Sequence, residues 1–328
     1  MTSHAPYRQP ARLTGSDGEV RKVGFELEFS GVTLDDTANA LKQKLDGNIV
    51  YQTEAELVLE LPSIGKLTVE LDWAFLKRKA AESAEKGEPE EWLKPLSQAA
   101  GLLVPVEVVC PPVAIDKLER LDELVDILRD LGAQGTEESL IAAYGVHINA
   151  EIPQLNAPCM HAYLKAFSLL QWWLVEAHEV NTARKISPYI GLYPEAYVVE
   201  LLEMSEPDMD QLFATYLEHN PTRNRALDML PLLAEIDESR VQDAVGDAKV
   251  NARPTFHYRL PNCQIERPGW SPADSWNVWC VVEALANDPQ ALEELGQAFL
   301  DARLPVIGVN RRSWVEFITR WLQDRELA

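Results

Sequence analysis

Glu26 and Glu28 stand two positions apart in "VGFELEFSG", interleaved with Phe25, Leu27 and Phe29. Successive side chains of a strand point to opposite faces, so the two carboxylates share a side, with Cα atoms about 6.6 Å apart. Other segments sort in the same way. In "AELVLELPSIGKLTVELDW", Glu56 and Glu60 oppose Leu57, Leu59 and Leu61, and Thr68, Glu70 and Asp72 oppose Leu67, Val69, Leu71 and Trp73. Glu107 opposes Val106 and Val108 in "VPVEVVCPP", His147 and Asn149 oppose Val146 and Ile148 in "YGVHINAEIP", and His257 and Arg259 oppose Phe256, Tyr258 and Leu260 in "RPTFHYRLP". The polar sides together hold mostly acids, two histidines and an arginine. Any one of these strands is also what the wet side of a half-solvated antiparallel sheet looks like. Like charges directly across a strand pair are destabilising, however, and here acids dominate several strands. Divalent cations resolve such repulsion, and carboxylates with an occasional imidazole suit magnesium or manganese. Magnesium commonly accompanies phosphates, for which Arg259 and Arg253 offer planar forks.

The elements that must position these residues follow from local signals. "TLDDTANALKQKLDG" reads as a helix with Thr33 as N-cap and Gly47 as its stop. Residues 56 to 73 read as an antiparallel hairpin turning across Pro62 to Gly65. Helices are expected near 76 to 86, 90 to 100, 115 to 131 (ending at Gly132), 159 to 180, 273 to 286, 289 to 302 and 311 to 326. Pro111 and Pro112 must end the strand that carries Glu107. "NTARKISPYIGLYPE" reads as a loop, "PTRNRALD" as a helix start, and Trp172 and Trp173 as core. Without a regular βαβ alternation, these elements predict an α+β fold on an antiparallel sheet. Residues 1–19 read as a loose lead-in. Residues 20–328 read as a single domain, with a mostly helical insertion around 180–250 and helices at the C-terminal end.

Composition excludes several classes. A net charge of −22 argues against nucleic-acid binding and against anionic membrane surfaces. A nucleotide remains compatible when cations or a few arginines neutralise its phosphates. Cys110, Cys159, Cys263 and Cys280 form no CxxC pair, which fits a reducing cytoplasm better than a disulfide framework or a zinc site. No stretch has signal-peptide or membrane-spanning character.

The ordered set "GFELEF", "LDWAFL", "VEVVCPP", "YGVHIN" and "FHYRLP" resembles the amidoligase family, carboxylate–amine ligases similar to glutamate–cysteine ligase and glutamine synthetase. The similarity spans roughly residues 20 to 285. The resemblance implies a curved antiparallel sheet of the glutamine-synthetase type, with helices packed on its convex side and ATP and magnesium on its concave side. It implies Glu26, Glu28, Glu107, His147 and His257 as metal ligands, Arg259 and Arg253 on the phosphates, and Arg184 and Asn149 on a substrate. Arg259 and Asp72 become the catalytic candidates, with Glu70 an alternative proton acceptor for the amine. Asn149, Cys110 and His257 depart from the family pattern, where histidine, serine and glutamate are common. The His257 departure puts one metal site in question, and three readings stay open. One is an ATP-dependent ligase joining a small-molecule or peptide carboxylate to an amine through an acyl phosphate. Another is a catalytically degenerate member that binds a peptide or protein, and a third is a metal-dependent hydrolase on the same sheet, which would turn over without ATP.

Overall fold

A computed structural model describes residues 4–71, 105–137, 144–185, 188–246 and 250–327. Asp72 and the helices expected at 76 to 86 and 90 to 100 lie outside the described residues. The first strand, β1 (Lys22–Phe29), buries Val23, Phe25, Leu27 and Phe29 completely while its glutamates stay partly accessible. This alternation makes one face core and leaves the other for chemistry. Helix α1 (Leu34–Lys44) starts as expected, with the Thr33 side chain accepting from the Asp36 N–H at 3.1 Å. It ends at Lys44. Asp46, not Gly47, takes the left-handed conformation after it, at φ 51°. Gly47 is needed for another reason, since a Cβ there would overlap the Leu61 side chain.

Three strands follow: β2 (Asn48–Gln52), β3 (Glu56–Leu61) and β4 (Gly65–Leu71). The last two form the expected hairpin. Strands β5 (Val106–Val109) and β6 (Val113–Ala114) sit on either side of the two prolines, and both pair with β1. Helix α2 (Arg120–Leu131) stops at Gly132, whose φ of 99° closes the terminus. Strand β7 (Val146–Ala150) precedes the long helix α3 (Ala157–Ala177), capped by Asn156 and buried on most sides. Then come α4 (Thr182–Lys185), α5 (Glu195–Glu203), α6 (Met209–His219), β8 (Leu227–Asp228), α7 (Leu230–Val245) and β9 (His257–Tyr258). Helices α8 (Pro272–Ala286), α9 (Pro289–Asp301) and α10 (Arg311–Gln323) complete the chain.

Among the described residues the strands form one nine-stranded sheet in the order β2-β3-β4-β5-β1-β7-β9-β8, with β6 against β1, and its strand pairs are antiparallel. The mixed α and β architecture read from the sequence is therefore present, built on an antiparallel sheet. Strand β1 lies near the centre, where neighbours on both sides satisfy its backbone. Helix α1 packs on α2 and against β3 and β4, while α3 packs on α8, which in turn meets β7. Under β9 the core is aromatic. Tyr163 stacks on Phe256 at 4.8 Å, and Tyr258 lies 5.0 Å from Trp279 and 6.1 Å from Phe167. Each such ring, once buried, contributes about 1.5–3 kcal/mol. Residues 4–19 run along α8 and α2, where the Trp276 indole donates to the Arg8 carbonyl and Tyr7 donates to Asp122. Among the described residues, no helix is long and apolar enough to cross a membrane.

Candidate active site

Cross-strand register brings the predicted acids into rows. Glu28 is paired with Glu107, Glu107 with Glu70, and Glu70 with Glu56, so one line of carboxylates crosses β1, β5, β4 and β3. In the next rows Glu26 faces His147, and His257 faces Asp228. Directly opposed residues share a face, with Cβ atoms about 4.5–5.5 Å apart, close enough for their tips to meet over the sheet.

They meet around His147. Its Nδ1 lies 2.7 Å from Glu26 Oε2 and 4.0 Å from Glu107 Oε1, and its Nε2 lies 3.5 Å from Glu28 Oε1. Glu26 Oε2 is also 3.7 Å from His257 Nε2, and the two imidazoles stand edge to face with centroids 5.2 Å apart. Glu28 and Glu26 are held in place, one by the backbone and the other by a neutral amide. Glu28 Oε2 accepts the Gly145 N–H at 2.7 Å, and Glu26 Oε1 accepts the Asn149 amide at 2.8 Å. Asn149 Oδ1 in turn accepts from Arg253 Nη2 at 2.7 Å, which leaves that guanidinium 3.9 Å from Glu26.

Electrostatics set the protonation states. Burial pushes the Glu26 carboxyl up, but His147 and His257 beside it outweigh burial and hold it well below the usual carboxylate range. Burial pushes the His147 imidazole down, and Arg259 adds to that against the pull of Glu28 and Glu26. At neutral pH the pair is therefore a carboxylate beside a neutral imidazole, the two forms that can donate lone pairs to a cation.

Among the described residues, two groups could hold an ion: Glu26, His147 and His257, and Glu28, Glu107 and His147, with donor atoms within 4.8 Å of one another in each group. Ligands about 2.0–2.2 Å from an ion lie roughly 3 Å apart when adjacent, and the observed 2.7 and 3.7 Å separations bracket that value. His257 is 3% exposed, and neither of its ring nitrogens has a hydrogen-bond partner among the described residues. Buried polar atoms are nearly always satisfied, so the residues present fit a cation.

Arg259 follows β9 on the same side, with Nη1 on the Arg223 carbonyl at 2.6 Å and a buried Nε that makes no hydrogen bond among the described residues. Arg184 is 4% exposed and stands behind Arg259, giving Nη2 to its carbonyl at 2.5 Å. Glu26, Glu28, Glu107, His147, His257, Asn149 and Arg253 thus converge directly. Arg259 flanks them, Arg184 backs Arg259, and Asp72 lies outside the described residues.

Two residues were missed in the sequence. Asp228 is fully buried, with Oδ2 3.5 Å from His257 Nδ1. Its signal was a lone acid among apolar neighbours in "ALDML", a stretch read with "PTRNRALD" as a helix start that instead forms β8. Gly145 was the other. Its N–H holds Glu28, and a Cβ on it would overlap the Arg184 guanidinium.

No curated protein and no solved structure gave a significant match to the chain. A family model described as "Putative amidoligase enzyme" matches residues 19–281. The chain belongs to this amidoligase family.

Proposed function

We propose that this amidoligase is an ATP-dependent, ADP-forming carboxylate–amine ligase that works through an acyl phosphate on a sheet of the glutamine-synthetase type, its acids on the concave side and its helices on the convex side. The observation that carries this reading is the convergence of Glu26, Glu28, Glu107 and His147 from three adjacent strands onto one spot. A carboxylate needs a better leaving group before an amine can displace it, and phosphorylation supplies one. Glu26, Glu28, Glu107 and His147 would hold divalent cations, which would supply charge neutralisation for the transferring phosphates.

The chain's own groups do the rest. Arg259 and Arg253 bind phosphate oxygens and stabilise the charge that moves in the transfer. Asn149, engaged at both ends of its amide, keeps Glu26 and Arg253 in register with each other. In this reading Arg184, which sets the position of Arg259 through its carbonyl, binds the substrate carboxylate. Glu70, opposite Glu107, or the neighbouring Asp72 takes the proton that the attacking amine must lose. The acid and amine are small molecules or peptides, nucleic acid and membranes are not partners, and the free cysteines suit the cytoplasm.

ADP release from ATP, with pools of candidate acids and amines, tests the reading. The wild-type protein turns over only with a divalent ion and both substrates. Glu28→Gln lowers turnover at least about 100-fold while the unfolding free energy in urea moves by less than about 1 kcal/mol, because Gln still accepts the Gly145 N–H. Unchanged turnover in Glu28→Gln, or no nucleotide binding at millimolar ATP, overturns it.

A further inference from the structure

The imidazole of His257 is boxed between two carboxylates. On one side Nδ1 lies 3.5 Å from Asp228 Oδ2, and on the other Nε2 lies 3.7 Å from Glu26 Oε2. Asp228 is fully buried and fixed, since its Oδ1 accepts the Leu230 N–H at 3.0 Å. Its Oδ2 lies 3.8 Å from Arg223 Nε but has no hydrogen-bond partner among the described residues, and neither has either nitrogen of His257. Three unsatisfied buried atoms in a line cost free energy unless something completes them. A cation at Nε2 completes them all, because it fixes the proton on Nδ1 and aims that N–H at Asp228, as acceptors behind ligating histidines do.

The donor set beside that cation is unlike the carboxylate-rich set that magnesium prefers. His147 falls within reach of both candidate ions through different nitrogens, Nδ1 lying 2.7 Å from Glu26 Oε2 and Nε2 3.5 Å from Glu28 Oε1, and Nδ1 is assigned to the ion beside Glu26, its nearest carboxylate. That leaves Glu28 and Glu107 as an all-oxygen pair and makes the other site two imidazoles and one carboxylate. Magnesium takes oxygen ligands and gives up its water reluctantly, whereas imidazole suits iron, cobalt, nickel and zinc. The nearby Arg253 guanidinium, 3.9 Å from Glu26 Oε1, further disfavours an ion held by charge alone.

We propose that Glu26, His147 and His257 form a site selective for a first-row transition-metal ion over magnesium, with Asp228 the positioning residue that turns His257 Nε2 toward the ion. The assignment builds on the cation-bearing face of the proposed ligase and does not depend on the reaction.

Metal-free full-length protein is titrated with Mg2+, Mn2+, Co2+ or Zn2+ without nucleotide, and binding is followed by calorimetry and by the visible spectrum of bound Co2+. The transition ions bind tighter than Mg2+ by roughly two orders of magnitude. His257→Glu narrows that ratio to below about tenfold. His257→Gln changes the Co2+ spectrum. Asp228→Asn weakens Co2+ binding about 10–100-fold with Mg2+ binding unaltered. Mg2+ binding as tight as Mn2+ and Co2+ in the wild-type protein, or a Co2+ spectrum unchanged in His257→Gln, overturns the proposal even if Asp228→Asn does not fold. Transition-ion preference without ATP turnover removes the ligase reading alone, and turnover with Mg2+ preference removes this proposal alone.

Discussion

Replacing Gly145 by alanine tests whether the site is held from behind. An added Cβ would overlap Arg184 Nη1 and lie 2.9 Å from Nη2 and 3.1 Å from Cζ. Ordinary carbon contacts begin near 3.5 Å, so the guanidinium must retreat by about 1 Å. Its Nη2 now donates to the Arg259 carbonyl at 2.5 Å, and a shift of that size takes the pair out to the edge of hydrogen-bond range. Arg184 is 4% exposed, so water replaces the lost partner poorly. A hydrogen bond from a charged group contributes about 1.5–3 kcal/mol, which puts the cost of Gly145→Ala at about 2–3 kcal/mol. Urea unfolding of the single variants and of the double variant with Arg184→Ala gives the coupling directly. Once the guanidinium is gone, Gly145→Ala should cost less than about 0.5 kcal/mol. If Gly145→Ala costs the same in both backgrounds, the two residues are independent and the packing argument is wrong.

Three further outcomes are expected. Glu283→Gln strands Arg21, with which it forms a fully buried two-armed pair at 2.7 and 3.0 Å, and should lower unfolding free energy by about 3–5 kcal/mol in urea. His178, pushed down to about 3 by burial and by Arg184, stays neutral in the fold while the unfolded chain takes up a proton below about 6.5. Stability should therefore fall as pH drops from about 6.5 toward 3, by up to about 1.4 kcal/mol per unit from this group, and urea midpoints at pH 7 and 5 should show that slope reduced in His178→Gln. Val306, fully exposed at φ 72°, strains a β-branched residue, and Val306→Gly should raise the unfolding free energy in urea by about 0.5–1 kcal/mol.

Much of the site could be read because strand alternation records the face as well as the element. Glu26, Glu28, Glu107, His147 and His257 each lie between apolar residues that the core required, so parity alone put them on one side. Parity cannot give lateral order. That β5 slots between β4 and β1, aligning Glu70, Glu107 and Glu28, depends on pairings between distant segments. Short or exposed strands leave no period to read. Strand β2 is mostly exposed and carries no alternating apolar residues, and β8 has only two residues, so Asp228 went unseen. The expected strand "RPTFHYRLP" shrinks to His257–Tyr258, because Pro254 and Pro261 on either side cannot donate to a ladder. Gly145 escaped notice because its use depends on Arg184, which is distant in sequence.

The pairing of β1 with β7 is the one on which the chemistry turns, since a slip of one residue would carry His147 to the apolar face and away from Glu26. Both ends of that ladder are anchored by a buried arginine. At the entry to β1, Arg21 gives Nε and Nη2 to the Glu151 carbonyl just past β7, while Nη1 and Nη2 reach Glu283 on α8. At the far end the Glu28 N–H donates to the Gly145 carbonyl, the Gly145 N–H returns to Glu28 Oε2, and Arg184 packs across that glycine. The apolar residues between these anchors would tolerate small adjustments, but charged forks bound to fixed carbonyls tolerate few. Acids that repel one another across strands would otherwise favour sliding or splaying the ladder. The arginines oppose that tendency from positions outside the cluster itself, so the carboxylates stay close together around His147.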